Sequence, residues 1–341
     1  MMKNKLGIKN FNYYAANELE SDAYSKFYQM DEFLLEKIYI TDEREQVFLI
    51  NAFENIIKLN LPNIVQYYEI DYNEKEKCIE VLRRFYKTKL LDHQIRNKFL
   101  VVTITQQLFQ TLASLEGFGV HLLGLKATNI FFENDNIYIS GFVRSEKFLL
   151  SQPIFQSKHL KSFIQECITT KKYNITQRYQ RKSHAMIYAA LTVLLQYILN
   201  EDFEQIANII RWLDNGEDNL KAVPSTQKLL AIIEEKYDCM RIFIEQAKCL
   251  LTNEFLNPTE DLAIQMMLLA SELRFENNII VLGEYYNLNQ KTEIKQQQQL
   301  QKDTIIQQPK ELNVQIEQNK QKVKSAQAKR CGGGFVVKQK K

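Results

Sequence analysis

Apolar positions come in short bursts over the first forty residues, at Phe11-Asn12-Tyr13-Tyr14, Lys26-Phe27-Tyr28 and Phe33 to Ile40, and these predict strands. From Thr41 to Leu59 the period changes to that of a helix, with Val47, Ile50, Phe53, Ile56 and Ile57 on one face. Cys78 to Leu82 predicts a further strand. Lys98 to Phe118 predicts a long helix, with Ile104, Leu108, Leu112 and Leu115 at core spacing and Gly117 and Gly119 to end it. Two apolar runs follow, Ile130-Phe131-Phe132 and Ile137-Tyr138-Ile139. The four residues between them, Glu133-Asn134-Asp135-Asn136, favour a turn, so this stretch predicts a hairpin behind a loop that carries Lys126 and Asn129. The most apolar run, Ala185 to Leu199, includes Thr192 and Gln196 and is too short for a bilayer core of about 30 Å, so it predicts a buried helix. Phe203 to Leu213, Ser225 to Glu235 and Met240 to Leu251 predict amphipathic helices.

Composition changes the picture at one place. From about Asn289 the chain becomes rich in Gln and Lys, with a pure glutamine run at Gln296 to Gln299 and three glycines at Gly332 to Gly334. This predicts a disordered tail over residues 289–341, with marginal helix at Lys310 to Ala328. From Lys291 onward there are 12 Lys and Arg against 4 Asp and Glu, so the tail carries about +8 and the remainder about −5 of a whole-chain +3. A mildly acidic body with a basic tail does not point to a dedicated nucleic-acid domain. The five cysteines, Cys78, Cys167, Cys239, Cys249 and Cys331, are far apart and form no C-x-x-C. With a polar start over Met1 to Asn10, they imply reduced thiols and a cytoplasmic setting.

The loop and hairpin carry a resemblance. Leu125-Lys126-Ala127-Thr128-Asn129-Ile130 is similar to the L-K-x-x-N-I of the catalytic loop of the eukaryotic protein kinases, and Gly141-Phe142-Val143 stands where their D-F-G stands. Upstream, Leu61-Pro62-Asn63-Ile64-Val65-Gln66-Tyr67-Tyr68 resembles the segment after the kinase C-helix. Downstream, Phe163-Ile164-Gln165-Glu166-Cys167-Ile168 resembles M-A-P-E-V-I, Lys182 to Ala189 resembles K-S-D-V-W-S-x-G, and Leu256 to Asp261 resembles D-P-x-x-R. Order and spacing carry the likeness, which covers roughly residues 10 to 285.

The resemblance implies a bilobal α+β fold. A small β-rich lobe with one helix would span residues 10–84, and a larger, mainly α-helical lobe residues 85–288. It also implies a phosphoryl-transfer site from which the acids are missing. The two catalytic aspartates fall at Gly124 and Gly141, the lysine-pairing glutamate at Ala52, and the brace of the catalytic loop at His184. The arginine that partners Glu166 falls at Asp261. His121 lies one residue off the family histidine and reads as structural, as does His184. No glycine occurs between Gly7 and Gly117. The best match to the Gly-rich loop puts Glu20, Asp22 and Ser25 at its glycines, where two carboxylates would repel a triphosphate. The strand lysine is open between two registers, one keeping Lys37 and the other replacing it with Glu36, and Arg83-Arg84 reads as the hinge.

Phosphoryl transfer depends on positioning and charge stabilisation. Gly124 cannot take a proton, and Gly141 offers Mg²⁺ no oxygen, leaving Asn129 as a weak neutral ligand. The expectation is a pseudokinase without catalytic residues or a required cofactor, serving as a protein-interaction or allosteric scaffold, with an active kinase as a candidate partner. Two alternatives stay open. One is a divergent kinase that binds ATP and Mg²⁺ through Lys37, Lys126 and Asn129. The other is a helical interaction protein unrelated to kinases.

Overall fold

Strands β1 (Asn17–Glu18), β2 (Ser25–Met30), β3 (Phe33–Tyr39), β4 (Tyr67–Asn73) and β5 (Cys78–Arg84) pair as one antiparallel sheet in the order β1-β2-β3-β5-β4. The turn between β2 and β3 places Asp31 at φ +53, a left-handed conformation that Asp tolerates because its short side chain bonds locally. The structure is a computed structural model, and it describes residues 7–19, 21, 25–40, 43–59, 61–93, 95, 97–123, 125–141, 156–170, 178–200, 203–214, 224–256 and 261–283. Glu20, Asp22, Gly124, Phe142, Val143 and the whole 289–341 tail therefore lie outside the described residues.

One helix, α1 (Glu43–Leu59), joins β3 to β4 and covers the inner face of the sheet. Its buried stripe is Leu49, Phe53 and Ile56, packed with Ile38, Tyr67, Ile79 and Val81. Val47, assigned to the core face from sequence, is 58% exposed. Apolar residues cover more than one side of this helix, and the i, i+4, i+7 stripe is the one that meets the sheet. Arg83 and Arg84, read as a hinge, are instead the last two residues of β5 and pair with Leu34 and Phe33.

The outer face of the sheet is covered by a strap formed by residues 7–16. Ile8 and Phe11 are buried against Leu35 and Leu82, with Tyr13, Tyr28, Phe33 and Tyr68 packed around them. The Ile8 N–H donates to Glu69 Oε2 at 2.7 Å, and the Tyr13 hydroxyl donates to Glu80 Oε1 at 2.9 Å. An antiparallel sheet with apolar residues on both faces needs such a cover.

The helical part begins with α2 (Lys98–Gly117), whose first turn is capped by Asn97 accepting the Leu100 N–H at 3.0 Å. The predicted hairpin follows as β6 (Ile130–Glu133) and β7 (Asn136–Ile139). Asn134 and Asp135 lie at φ +51 and +60, the double left-handed geometry that suits a two-residue hairpin turn. Then come α3 (Lys158–Thr169), α4 (Lys182–Leu199), α5 (Phe203–Leu213), α6 (Pro224–Tyr237), α7 (Met240–Leu256) and α8 (Leu262–Ser271), and a second hairpin, β8 (Leu273–Glu276) with β9 (Ile279–Leu282). Helix α4 is buried from His184 to Leu199 and forms the centre of the helical core. Among the described residues no helix is long and apolar enough to cross a membrane.

The sheet and the helical part belong to one compact unit and are joined by a polar node. The Asn63 amide donates to Gln107 Oε1 at 3.2 Å and to the Ile137 carbonyl at 3.1 Å, and Gln107 Oε1 also accepts the Ile137 N–H at 2.9 Å. Val65 N–H to Ile139 O (3.0 Å) and Ile139 N–H to Asn63 O (2.9 Å) complete it.

Candidate functional site

Ala127 to Asn129 make one 3₁₀ turn before β6, closed by the Asn129 N–H donating to the Lys126 carbonyl at 3.0 Å. This turn buries Asn129 and leaves Lys126 half-buried. The Asn129 carbonyl accepts the Ser140 N–H at 2.8 Å and the Ser140 hydroxyl at 3.1 Å, so the end of β7 is fastened to the loop. Gly141 follows at φ +75. A Cβ built there would overlap the Asn129 amide nitrogen and lie 3.0 Å from its Cγ. The Asn129 side chain thus fills the space that a side chain at 141 needs.

Magnesium requires near-octahedral oxygen ligation, usually with one or two carboxylates. Gly141 supplies no side chain, and the neutral Asn129 carboxamide occupies the spot itself. These residues do not fit a magnesium site. Among the described residues no group of three or more His, Cys, Asp or Glu side chains is arranged to hold a metal ion.

Glu36 and Lys37 point to opposite faces, because side chains alternate along a strand. Glu36 lies on the inner face, 4% exposed, with Oε2 3.8 Å from Arg83 Nε. The Arg83 guanidinium lies 5.5 Å from the centre of the Phe131 ring on the facing hairpin. Lys37 lies on the outer face, where its Nζ reaches Glu76 at 2.8 Å and Glu80 at 3.4 Å and sits 4.3 Å from the Tyr13 ring centroid. Burial works against its charge, and the two carboxylates outweigh burial, so its pKa is raised. Lys37, a candidate nucleotide ligand from sequence, is therefore not brought together with Lys126 and Asn129. It anchors the strap instead.

Among the remaining sequence candidates, the two histidines have structural surroundings. Ala52 is half-buried on α1. His121 is half-buried, with Nε2 3.8 Å from Glu116 Oε1, and burial together with Lys182 lowers its pKa. Glu116 also accepts the Ser183 hydroxyl. His184 is a core residue of α4 rather than a cap, since Arg181 holds the cap position. Glu166 and Asp261 are both exposed. A cavity of about 300 Å³ opens beside the α1–β4 connection, lined by residues that include Ile57, Pro62, Gln66, Arg84, Tyr86 and Tyr138. No carboxylate lines it among the described residues.

Sequence reading missed Asp214. Its Oδ2 accepts the Lys158 N–H at 2.6 Å and so caps α3, while burial pushes its carboxyl up to about 6 despite the nearby Lys158, Lys161 and Lys248. His184 moves the other way, down to about 4, through burial and then the neighbouring His159 and Arg181. The signs of their pH effects are opposite. The stability due to neutral His184 is full above its ordinary 6.5 and is lost as pH falls toward 4. The contribution from Asp214 is full below its ordinary 3.8 and is lost as pH rises through about 6. Each is worth up to about 3 kcal/mol at 1.36 kcal/mol per unit, so they largely offset between pH 6 and 4. Urea midpoints taken at pH 7 and pH 4.5 are expected to separate them. His184→Gln loses less stability on acidification than the parent, and Asp214→Asn loses more. Parallel behaviour of the two variants would contradict this assignment.

No family model matches the chain, and neither does any curated protein.

Proposed function

We propose that this chain is a degenerate protein-kinase-like protein that transfers no phosphate and acts by binding another protein, with an active kinase as the candidate partner. The observation that most supports this reading is the Gly141–Asn129 contact. The residue that should carry the metal-holding carboxylate has no side chain, and its neighbour fills the room where one would go. The general layout agrees with the reading: a five-stranded sheet with one helix, then a loop, a hairpin and a helical region. So does Glu36, which puts a carboxylate at the inward strand position where the family lysine would meet phosphate. From sequence alone Gly124 removes the proton acceptor, and general acid–base help is typically worth about 10²–10⁴-fold.

In this reading residues 10–84 and 85–288 serve as two parts of a docking or allosteric scaffold in the cytoplasm, and the basic 289–341 segment gives a second contact. The alternative, a divergent ATP-binding kinase, rests on Lys126 and Asn129, which do share one turn.

A thermal-shift titration with ATP, with and without Mg²⁺, tests the proposal. No metal-dependent shift is expected, and no transfer of labelled phosphate to a generic protein substrate. A magnesium-dependent shift accompanied by transfer sinks it. Pull-downs with and without residues 290–341 then measure what the basic segment adds.

A further inference from the structure

We propose that the gap between the sheet and the β6–β7 hairpin is filled by the chain's own Glu36–Arg83 pair, which lies where a planar ligand would lie and closes the gap without one. This rests on the reading above only in taking that gap as the place where a ligand would sit.

The register of the sheet sets the geometry. Glu36 is opposite Val81 and Arg83 is opposite Leu34, so the two charges are diagonal neighbours on the inner face. Both side chains are 6% exposed. Arg83 extends beyond the sheet and rests on Phe131, and a guanidinium is flat, delocalised and suited to stacking on an aromatic face. The floor beneath it is aromatic too. Tyr86 stacks on Phe131 with centroids 5.8 Å apart and on Tyr138 at 4.5 Å. The rim is closed by the Arg84–Glu133 ion pair at 2.9 Å and by the bridge between Lys89 and Phe131.

Stability alone does not account for this pair. Buried ion pairs are often no better than apolar residues of the same volume. Here Arg83 Nε and Nη1 are buried and reach no hydrogen-bond acceptor among the described residues. What the pair does is occupy space. It places a flat cation on the aromatic floor and a carboxylate behind it, at the Phe131 ring where a heteroaromatic ligand would otherwise stack. The chain then needs no small ligand to hold sheet and hairpin together.

Adenine, without phosphate or metal, is the probe. The parent protein is expected to show no saturable thermal shift with it. The double variant Glu36→Gln with Arg83→Ala removes the bulk without stranding a charge, and is expected to gain a saturable shift of about 3 °C or more at millimolar adenine. A saturable shift in the parent, or none in the folded double variant, overturns the inference. If that variant does not fold, Glu36→Leu with Arg83→Met decides. Refilling the gap with apolar bulk is expected to keep Tm within about 4 °C of the parent and still exclude adenine. A fall of about 10 °C, or adenine binding, overturns it. Metal-free adenine binding by the parent sinks this inference alone, whereas magnesium-dependent phosphate transfer sinks the scaffold reading.

Discussion

Replacing Lys37 by alanine is expected to destabilise the protein by about 3–5 kcal/mol and to leave its response to nucleotide unchanged. The size follows from what is left behind. Glu80 is 5% exposed and Glu76 is half-exposed, and Lys37 is the cation between them. Without it, Glu80 keeps the Tyr13 hydroxyl and the Asn73 amide, both at 2.9 Å, but its buried charge is uncompensated. The cation contact with the Tyr13 ring goes as well, which loosens the strap over Leu35 and Leu82. Urea unfolding measures the loss. Combining Lys37→Met with Glu80→Met removes both charges and is expected to recover most of it. A loss below about 1 kcal/mol, or an ATP response present in the parent and absent in the variant, would show that Lys37 serves the cleft rather than the strap.

On the proposed kinase-like reading, placing an acid at Gly141 is expected to fail as a rescue. Gly141→Asp should cost about 1–2 kcal/mol and confer no magnesium-dependent nucleotide binding. Part of the cost is backbone: at φ +75 a side chain costs roughly 1–2 kcal/mol, and Asp stands at the low end because it tolerates this region, as at Asp31. The rest comes from Asn129, whose buried amide nitrogen has no hydrogen-bond partner among the described residues and must move to admit a Cβ. Pairing Gly141→Asp with Asn129→Ala separates the two, since it relieves the overlap and keeps the backbone penalty. A gain of metal-dependent ATP binding in Gly141→Asp alone would mean that the pocket retains the geometry this contact denies it.

Much of the chain was legible wherever one residue type decides. Asn134-Asp135 between two apolar runs gave the hairpin, because those residues accept the left-handed turn. The helix at α4 followed from a long, mostly apolar run. Where both faces of an element carry similar residues, sequence could not choose. Glu36 and Lys37 are adjacent and both charged, and only the pairing partners, Val81 and Glu80, decide which faces inward. Val47 and Leu49 are equally apolar, and only the sheet selects Leu49. Arg83-Arg84 looked like a break because charge hides a strand whose cations find partners at Glu36 and Glu133. The β8–β9 hairpin was missed although Asn277-Asn278, at φ +51 and +65, repeats the turn signal of the first. At Gly141 the lack of a side chain was readable and the space taken by Asn129 was not, since a missing Cβ leaves no trace of what has moved in.

The opposed charges at positions 36 and 37 also check the alignment of β3. A slide of one residue would turn each to the opposite face, because strand faces alternate with every residue. A slide one way would bring Glu36 to Glu76 and Glu80, and a slide the other way would bring Lys37 to Arg83, so like charges would meet whichever way the strand moved. The apolar neighbours Leu34, Leu35 and Ile38 differ too little to forbid that slide by themselves. Two adjacent residues therefore act as a key that fits the lock in one position only.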